Sequence, residues 1–170
     1  MIRRYVLSVL VKNHPGVLSR IAGLFARRGY NISSLTVGET EESEYSRVTI
    51  ELYGDEYVLE QIKNQLNKLF DVLQTLELKS DKAVLRELVL AKVKATDESR
   101  PAVVEIANIF RAKVVDIAEN SIILEMTGGQ DKINAFLDMM KKYGIIELAR
   151  TGITALGRGT STLRAEDKGK

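Results

Sequence analysis

The 170-residue chain predicts an α+β fold built from two βαββαβ units, and three observations carry that expectation. Apolar residues recur at every second position over short runs, as half-buried strands require. Between those runs, apolar residues recur at i, i+3, i+4 and i+7, the stripe of an amphipathic helix. The order strand, helix, strand, strand, helix, strand then occurs twice, split by the polar stretch Lys79-Ser80-Asp81-Lys82. This is the ferredoxin-like arrangement. It places one domain at residues 1–79 and a second at 84–153, with a polar tail over 157–170 that its composition marks as disordered. A hydrophobic content of 45% is enough for two packed cores.

In the first unit, Tyr5, Leu7, Val9 and Val11 alternate, while Val6 and Leu10 make the opposite face apolar too. That strand is expected to be covered on both sides. Leu18, Ile21, Ala22 and Phe25 give the first helical stripe. Asn31 to Val37 and Arg47 to Tyr53 read as strands around the polar loop Gly38 to Ser43. Val58, Ile62, Leu66 and Leu69 give the second helix, and Val72 to Leu78 the fourth strand. In the second unit Leu85 to Ala95 is a strand, and Thr96 to Ser99 form an N-cap cluster before Arg100-Pro101. Val103, Ile106, Ala107 and Phe110 make the third helix. Val114 to Ile117 and Ile122 to Met126 are strands around Glu119-Asn120. Ile133, Phe136, Leu137 and Met140 make the fourth helix, and Ile145 to Ala149 close the pattern.

Composition excludes several classes. There is no Cys, hence no disulfide and no thiolate metal site, which fits a reducing cytoplasm. Met1 to Val6 resemble a signal peptide's charged start, but the apolar run that follows stops at Lys12-Asn13 and reads as a strand. No apolar stretch approaches the ~20 residues of a membrane span. These features together point to a soluble cytoplasmic protein. The formal charge of +2 sits entirely in the tail, where Arg158, Arg164, Lys168 and Lys170 outweigh Glu166 and Asp167. Residues 1–157 are therefore neutral, a poor match for a nucleic-acid backbone.

Nor does the chain carry an enzyme's equipment. The lone His14 precedes a Pro in a turn, and no second His exists to share a metal with it. Neither a phosphate-cradling glycine loop nor a dinucleotide fingerprint follows any strand. Glu39, Glu41, Glu42 and Glu44 cluster in a solvated loop. No residue is assigned to catalysis or to a metal.

The informative segment is Asn13-His14-Pro15-Gly16-Val17-Leu18-Ser19-Arg20-Ile21, closed by Arg28-Gly29-Tyr30-Asn31-Ile32. Pro15 suits the first turn of a helix, and Gly16 admits close approach to the backbone. The unpaired N–H groups of that helix start would face a carboxylate. Asn13 and Asn31 bracket the helix with side-chain amides that both donate and accept. Gly29 reads as the helix C-cap. This segment resembles the opening of an ACT domain, the βαββαβ module that senses amino acids. With Ser33 to Gly38, Ser46 to Ile50, Phe110 to Asp116 and Arg150-Thr151-Gly152, the chain is similar to the small regulatory subunits of acetolactate synthase (acetohydroxyacid synthase).

The resemblance implies a subunit with no catalysis of its own that raises the activity of the catalytic subunit. It also implies feedback inhibition by valine or a related branched-chain amino acid. Thiamine diphosphate, FAD and magnesium are then expected only on the catalytic subunit. The resemblance further implies a homodimer, with the effector at the junction of two ACT modules. Asn13, Gly16 and Val17 would come from one protomer and hold the carboxylate. Asn31 would come from the other and take the ammonium, with Ile32, Leu35 and Val37 as possible pocket walls. The acidic, glycine-free turn Thr96 to Pro101 makes a second such site unexpected. The alternative reading is a free-standing double-ACT regulator of another enzyme or of transcription. An RNA-binding domain of the same topology needs a basic-Gly-aromatic third strand, where this chain has Ser46-Arg47-Val48-Thr49-Ile50. An acylphosphatase-like enzyme needs an Arg in the loop after the first strand, where this chain has Lys12 to Gly16.

Overall fold

The structure is a computed structural model describing residues 1–164. It divides into two units: Met1–Val84 joined by the segment that begins at Ile153, and Leu85–Gly152. In the first unit β1 (Arg3–Lys12), α1 (Val17–Arg28), β2 (Ile32–Glu39), β3 (Tyr45–Gly54), α2 (Glu56–Asn67) and β4 (Val72–Glu77) follow in order. The antiparallel sheet runs β2-β3-β1-β4, so β2 and β4 are its edges. Leu7, Val9 and Val11 of β1 pack with Val48, Ile50 and Leu52 of β3 against Ile21, Leu24 and Phe25 of α1. On α2 the buried stripe is Leu59, Ile62 and Leu66. Val58 and Leu69, expected in that stripe, lie at its margin, and Leu69 falls beyond the last turn. Asp55 caps α2 by accepting from the Val58 N–H at 2.8 Å.

The second unit repeats the plan with β5 (Ala83–Lys94), α3 (Arg100–Ile109), β6 (Lys113–Ile117), β7 (Ser121–Gly128), α4 (Gln130–Lys141) and β8 (Ile145–Arg150). Its strands run β6-β7-β5-β8. Val89, Ala91 and Val93 face Ile122, Leu124 and Met126 across the sheet pairing, and Val103, Ile133, Phe136 and Met140 complete the core. Ser99, expected as an N-cap, does not cap α3 with its side chain. Its hydroxyl instead lies 3.2 Å from that of Thr96 and accepts from the Thr96 N–H at 3.0 Å. The cap cluster has closed on itself.

The alternation pattern does not foresee β9 (Thr154–Gly157), which pairs with β5. The Arg158 N–H donates to the Lys82 carbonyl at 2.9 Å, which brings the chain back to the first unit. Within the described part of the tail, 157–164, Leu163 is buried amid Gly, Thr and Ser. The expectation of disorder over 165–170 lies outside the described residues. Among the described residues no helix is long and apolar enough to cross a membrane.

Candidate ligand site at the start of the first helix

β1 hands over to α1 through Asn13 to Gly16, and the helix begins at Val17, two residues later than Pro15 as the first helical residue implies. Gly16 is the N-cap, at φ 87° and ψ −11°, a left-handed conformation that any side chain would strain. No side chain caps the helix and no acidic residue occupies its first turn. The Arg20 N–H is the first to find a helical acceptor, the Gly16 carbonyl at 3.0 Å. The N–H groups of Val17, Leu18 and Ser19 precede that first helical bond. They form the positive end of the helix dipole, open above a residue without a side chain.

The surroundings are cationic. A Cβ on Gly16 would lie 3.2 Å from the Arg20 Nη1. The Arg20 guanidinium pairs with Asp71, which is almost fully buried. His14 Nε2 lies 3.3 Å from the other Asp71 carboxylate oxygen. Lys12 Nζ stands 4.1 Å above the ring of Phe70. Three basic side chains, Lys12, His14 and Arg20, therefore gather around the helix start, and two of them, His14 and Arg20, meet one buried carboxylate. Such a site favours an incoming anion.

Asn13 is held firmly. Its backbone N–H donates to the Glu44 carbonyl at 2.8 Å. Its Nδ2 donates to the Ser43 carbonyl at 2.9 Å and to Glu39 Oε1 at 3.1 Å. Both amide protons are thus committed to the β2–β3 connection, and Oδ1 is the atom that can accept from a ligand. Glu39, expected as loop solvation, is an anchor for Asn13. Among the described residues no group of three His, Cys, Asp or Glu side chains is placed to hold a metal ion.

Asn31 lies at the far end of the same strand. It follows the αL cap Gly29 and is exposed immediately before β2, while the Asn13 partner Glu39 is the last residue of β2. Eight steps of extended chain separate them, roughly 25 Å. Within one chain, Asn13 and Asn31 cannot touch the same small molecule. Of the expected wall residues, Ile32 and Leu35 are half-buried and pack on the core, while Val37 is 47% exposed.

The corresponding turn of the second unit is occupied by its own side chains. Arg100 donates to Asp97 at 2.8 Å and to the Glu119 carbonyl at 2.7 Å. A cleft of about 840 Å³ does run along α3, lined by Pro101, Val104, Asn108 and Ile109 among others. Sequence reasoning did not find Arg20 and Asp71. The available signal was Arg20 one helical turn beyond Gly16, together with a lone Asp opening β4.

A βαββαβ unit with an uncapped, glycine-started helix is of the ACT class. Residues 7–74 match the family model described as an AHAS small subunit-like ACT domain, and residues 86–159 match the model of the small subunit of acetolactate synthase. The chain belongs to the acetolactate synthase small subunit family. It is 52% identical over 156 residues to a probable acetolactate synthase small subunit of Archaeoglobus fulgidus, covering 92% of this chain and 98% of the relative. It is 46% identical over 155 residues to the acetolactate synthase small subunit of Mycolicibacterium smegmatis, covering 91% of each. The crystal structure of the Thermotoga maritima small subunit superposes with a TM-score of 0.86 at 40% identity, over 94% of this chain and 99% of that one.

Proposed function

We propose that this chain is the non-catalytic regulatory subunit of a thiamine-diphosphate-dependent acetolactate synthase, raising the activity of the catalytic subunit and making it sensitive to valine. The observation that carries the effector reading is the start of α1. Open N–H groups stand above Gly16, with cationic neighbours and no built-in acidic cap. An α-amino acid offers such a place its carboxylate. With both Nδ2 protons of Asn13 committed, the carboxylate role expected of Asn13 passes to the N–H groups at Gly16 and Val17, and its Oδ1 joins Asn31 as a neutral acceptor for the ammonium. Selection of valine over a larger side chain rests on pocket size, at about 1–3 kcal/mol per methylene. Val37 is the exposed wall residue in position to impose it.

The separation of Asn13 from Asn31 supports a homodimer. If both contact one valine, they come from two chains, with each β2 lying between two half-sites. The experiment is reconstitution: the purified chain is mixed with an acetolactate synthase catalytic subunit and pyruvate turnover is followed with and without valine. Activation that valine reverses is expected. A chain that turns over pyruvate alone, or that leaves the catalytic subunit unaffected, would refute the reading.

A further inference from the structure

The first sheet has helices on one face only, yet the middle of its other face is buried too. Ser8, Thr49 and Glu51 point away from the helices, by their register between Leu7, Val9, Val48, Ile50 and Leu52, and all three are buried. What crosses that face is the returning segment from Ile153. Its attachment is specific. The Ser34 hydroxyl accepts from the Ile153 N–H at 3.0 Å, and the Thr36 hydroxyl donates to the Ile153 carbonyl at 2.7 Å. Arg47 Nη1 donates to the Ala155 carbonyl at 3.2 Å and to the Ser8 hydroxyl at 2.9 Å. Burial lowers the pKa of Arg47, partly countered by Glu41, so its guanidinium is a desolvated donor committed to this network. Ile153, Ala155 and Leu163 are themselves buried.

Ser34 and Thr36 lie in the middle of β2, an edge strand whose sheet pairing among the described residues is with β3. Glu39, which grips Asn13, ends that strand, and Asn31 precedes it. The chain passes from the first unit to the second at Val84–Leu85 and returns at Gly152–Ile153. Ile153 is therefore both the first residue of the return and the one that β2 holds by two hydrogen bonds.

We propose that Ser34 and Thr36 are positioning residues of a latch, through which β2 reports effector occupancy to the return segment and so to the second unit. This rests on the effector reading above. Two ligands, one bound at each end of β2, fix where that strand lies against β3. The two hydroxyls convert that placement into the position of the Ile153 peptide, with Arg47 holding Ala155 as a fixed reference on β3. An effector thereby acts on a covalent junction between the units, beyond its own pocket.

The test uses the full chain carrying S34A and T36V together, with valine binding, amide hydrogen exchange over 153–158, and valine inhibition of the reconstituted holoenzyme as readouts. Valine should still bind the double variant. Exchange over 153–158 should rise about tenfold or more for the loss of two hydrogen bonds and cease to respond to valine. Inhibition should be lost while activation persists. Thr36→Ser, which keeps the hydroxyl, should behave as the parent chain. A double variant that binds valine and is inhibited like the parent overturns the latch alone, as does parent exchange over 153–158 that is blind to bound valine. A parent chain that binds no valine overturns the effector reading and the latch with it.

Discussion

Gly16 concentrates two constraints on one atom. A methyl group there meets the left-handed backbone penalty of roughly 1–2 kcal/mol and a guanidinium nitrogen 3.2 Å away. Gly16→Ala should therefore lower the denaturation midpoint and weaken valine binding together, as chemical denaturation and calorimetry would show. A variant as stable and as tight as the parent would remove Gly16 from the site. Asn13→Ala should separate the two effects. It deletes an acceptor for an ammonium, costing about 1.5–3 kcal/mol of binding, or roughly ten- to hundredfold in the inhibition constant. Its exposed position should leave folding and activation of the catalytic subunit largely intact. An unchanged valine inhibition curve would count against the contact. In the second unit, Glu87 is buried and takes a bidentate pair from Arg150, at 2.7 and 2.8 Å. Arg150→Ala leaves that carboxylate buried without these donors and should destabilise the protein by about 3 kcal/mol. Glu87→Gln, which removes the charge, should cost less. Equal denaturation midpoints for the two variants would contradict this account.

At the scale of elements, β2 is the component on which the account turns. The double variant S34A/T36V tests it, because valine binding and valine response should part company there. The strands and helices were legible because amphipathic periodicity is local: the stripe Val103, Ile106, Ala107 and the alternation Leu7, Val9, Val11 each signal one buried face. Even the double-sided burial of β1 was foreshadowed by Val6 and Leu10, both buried. What covers them was not. β9 is four residues long, Thr154–Gly157, too short for a periodic signal, and its partners are distant in sequence: β5 in the sheet, and Arg47, 108 positions from Ala155. The site was legible to the same extent. Gly16 and its uncapped helix are a local pattern. The Arg20–Asp71 pair and the grip of Glu39 on Asn13 are long-range encounters that spacing cannot show. The expected capping by Ser99 failed for a related reason, since Thr96 offered its hydroxyl a nearer partner.

At the scale of the whole molecule, the account requires two chains for each ligand. Asn13 and Asn31 stand at opposite ends of a strand roughly 25 Å long, so on the proposed reading one protomer would hold half of each of two sites. Valine binding and dimerisation must then reinforce one another by the same factor, because linkage is reciprocal. Valine affinity should fall on dilution through the dissociating range, which sedimentation and calorimetry can follow together. The decisive measurement is a valine titration of a mixed dimer of one Asn13→Ala protomer and one Asn31→Ala protomer. Sites shared across the interface place both lesions in one site and leave the other intact, so one tight site per dimer is expected. Two equally weakened sites would mean that both residues serve a ligand within a single chain, and the shared site would be wrong.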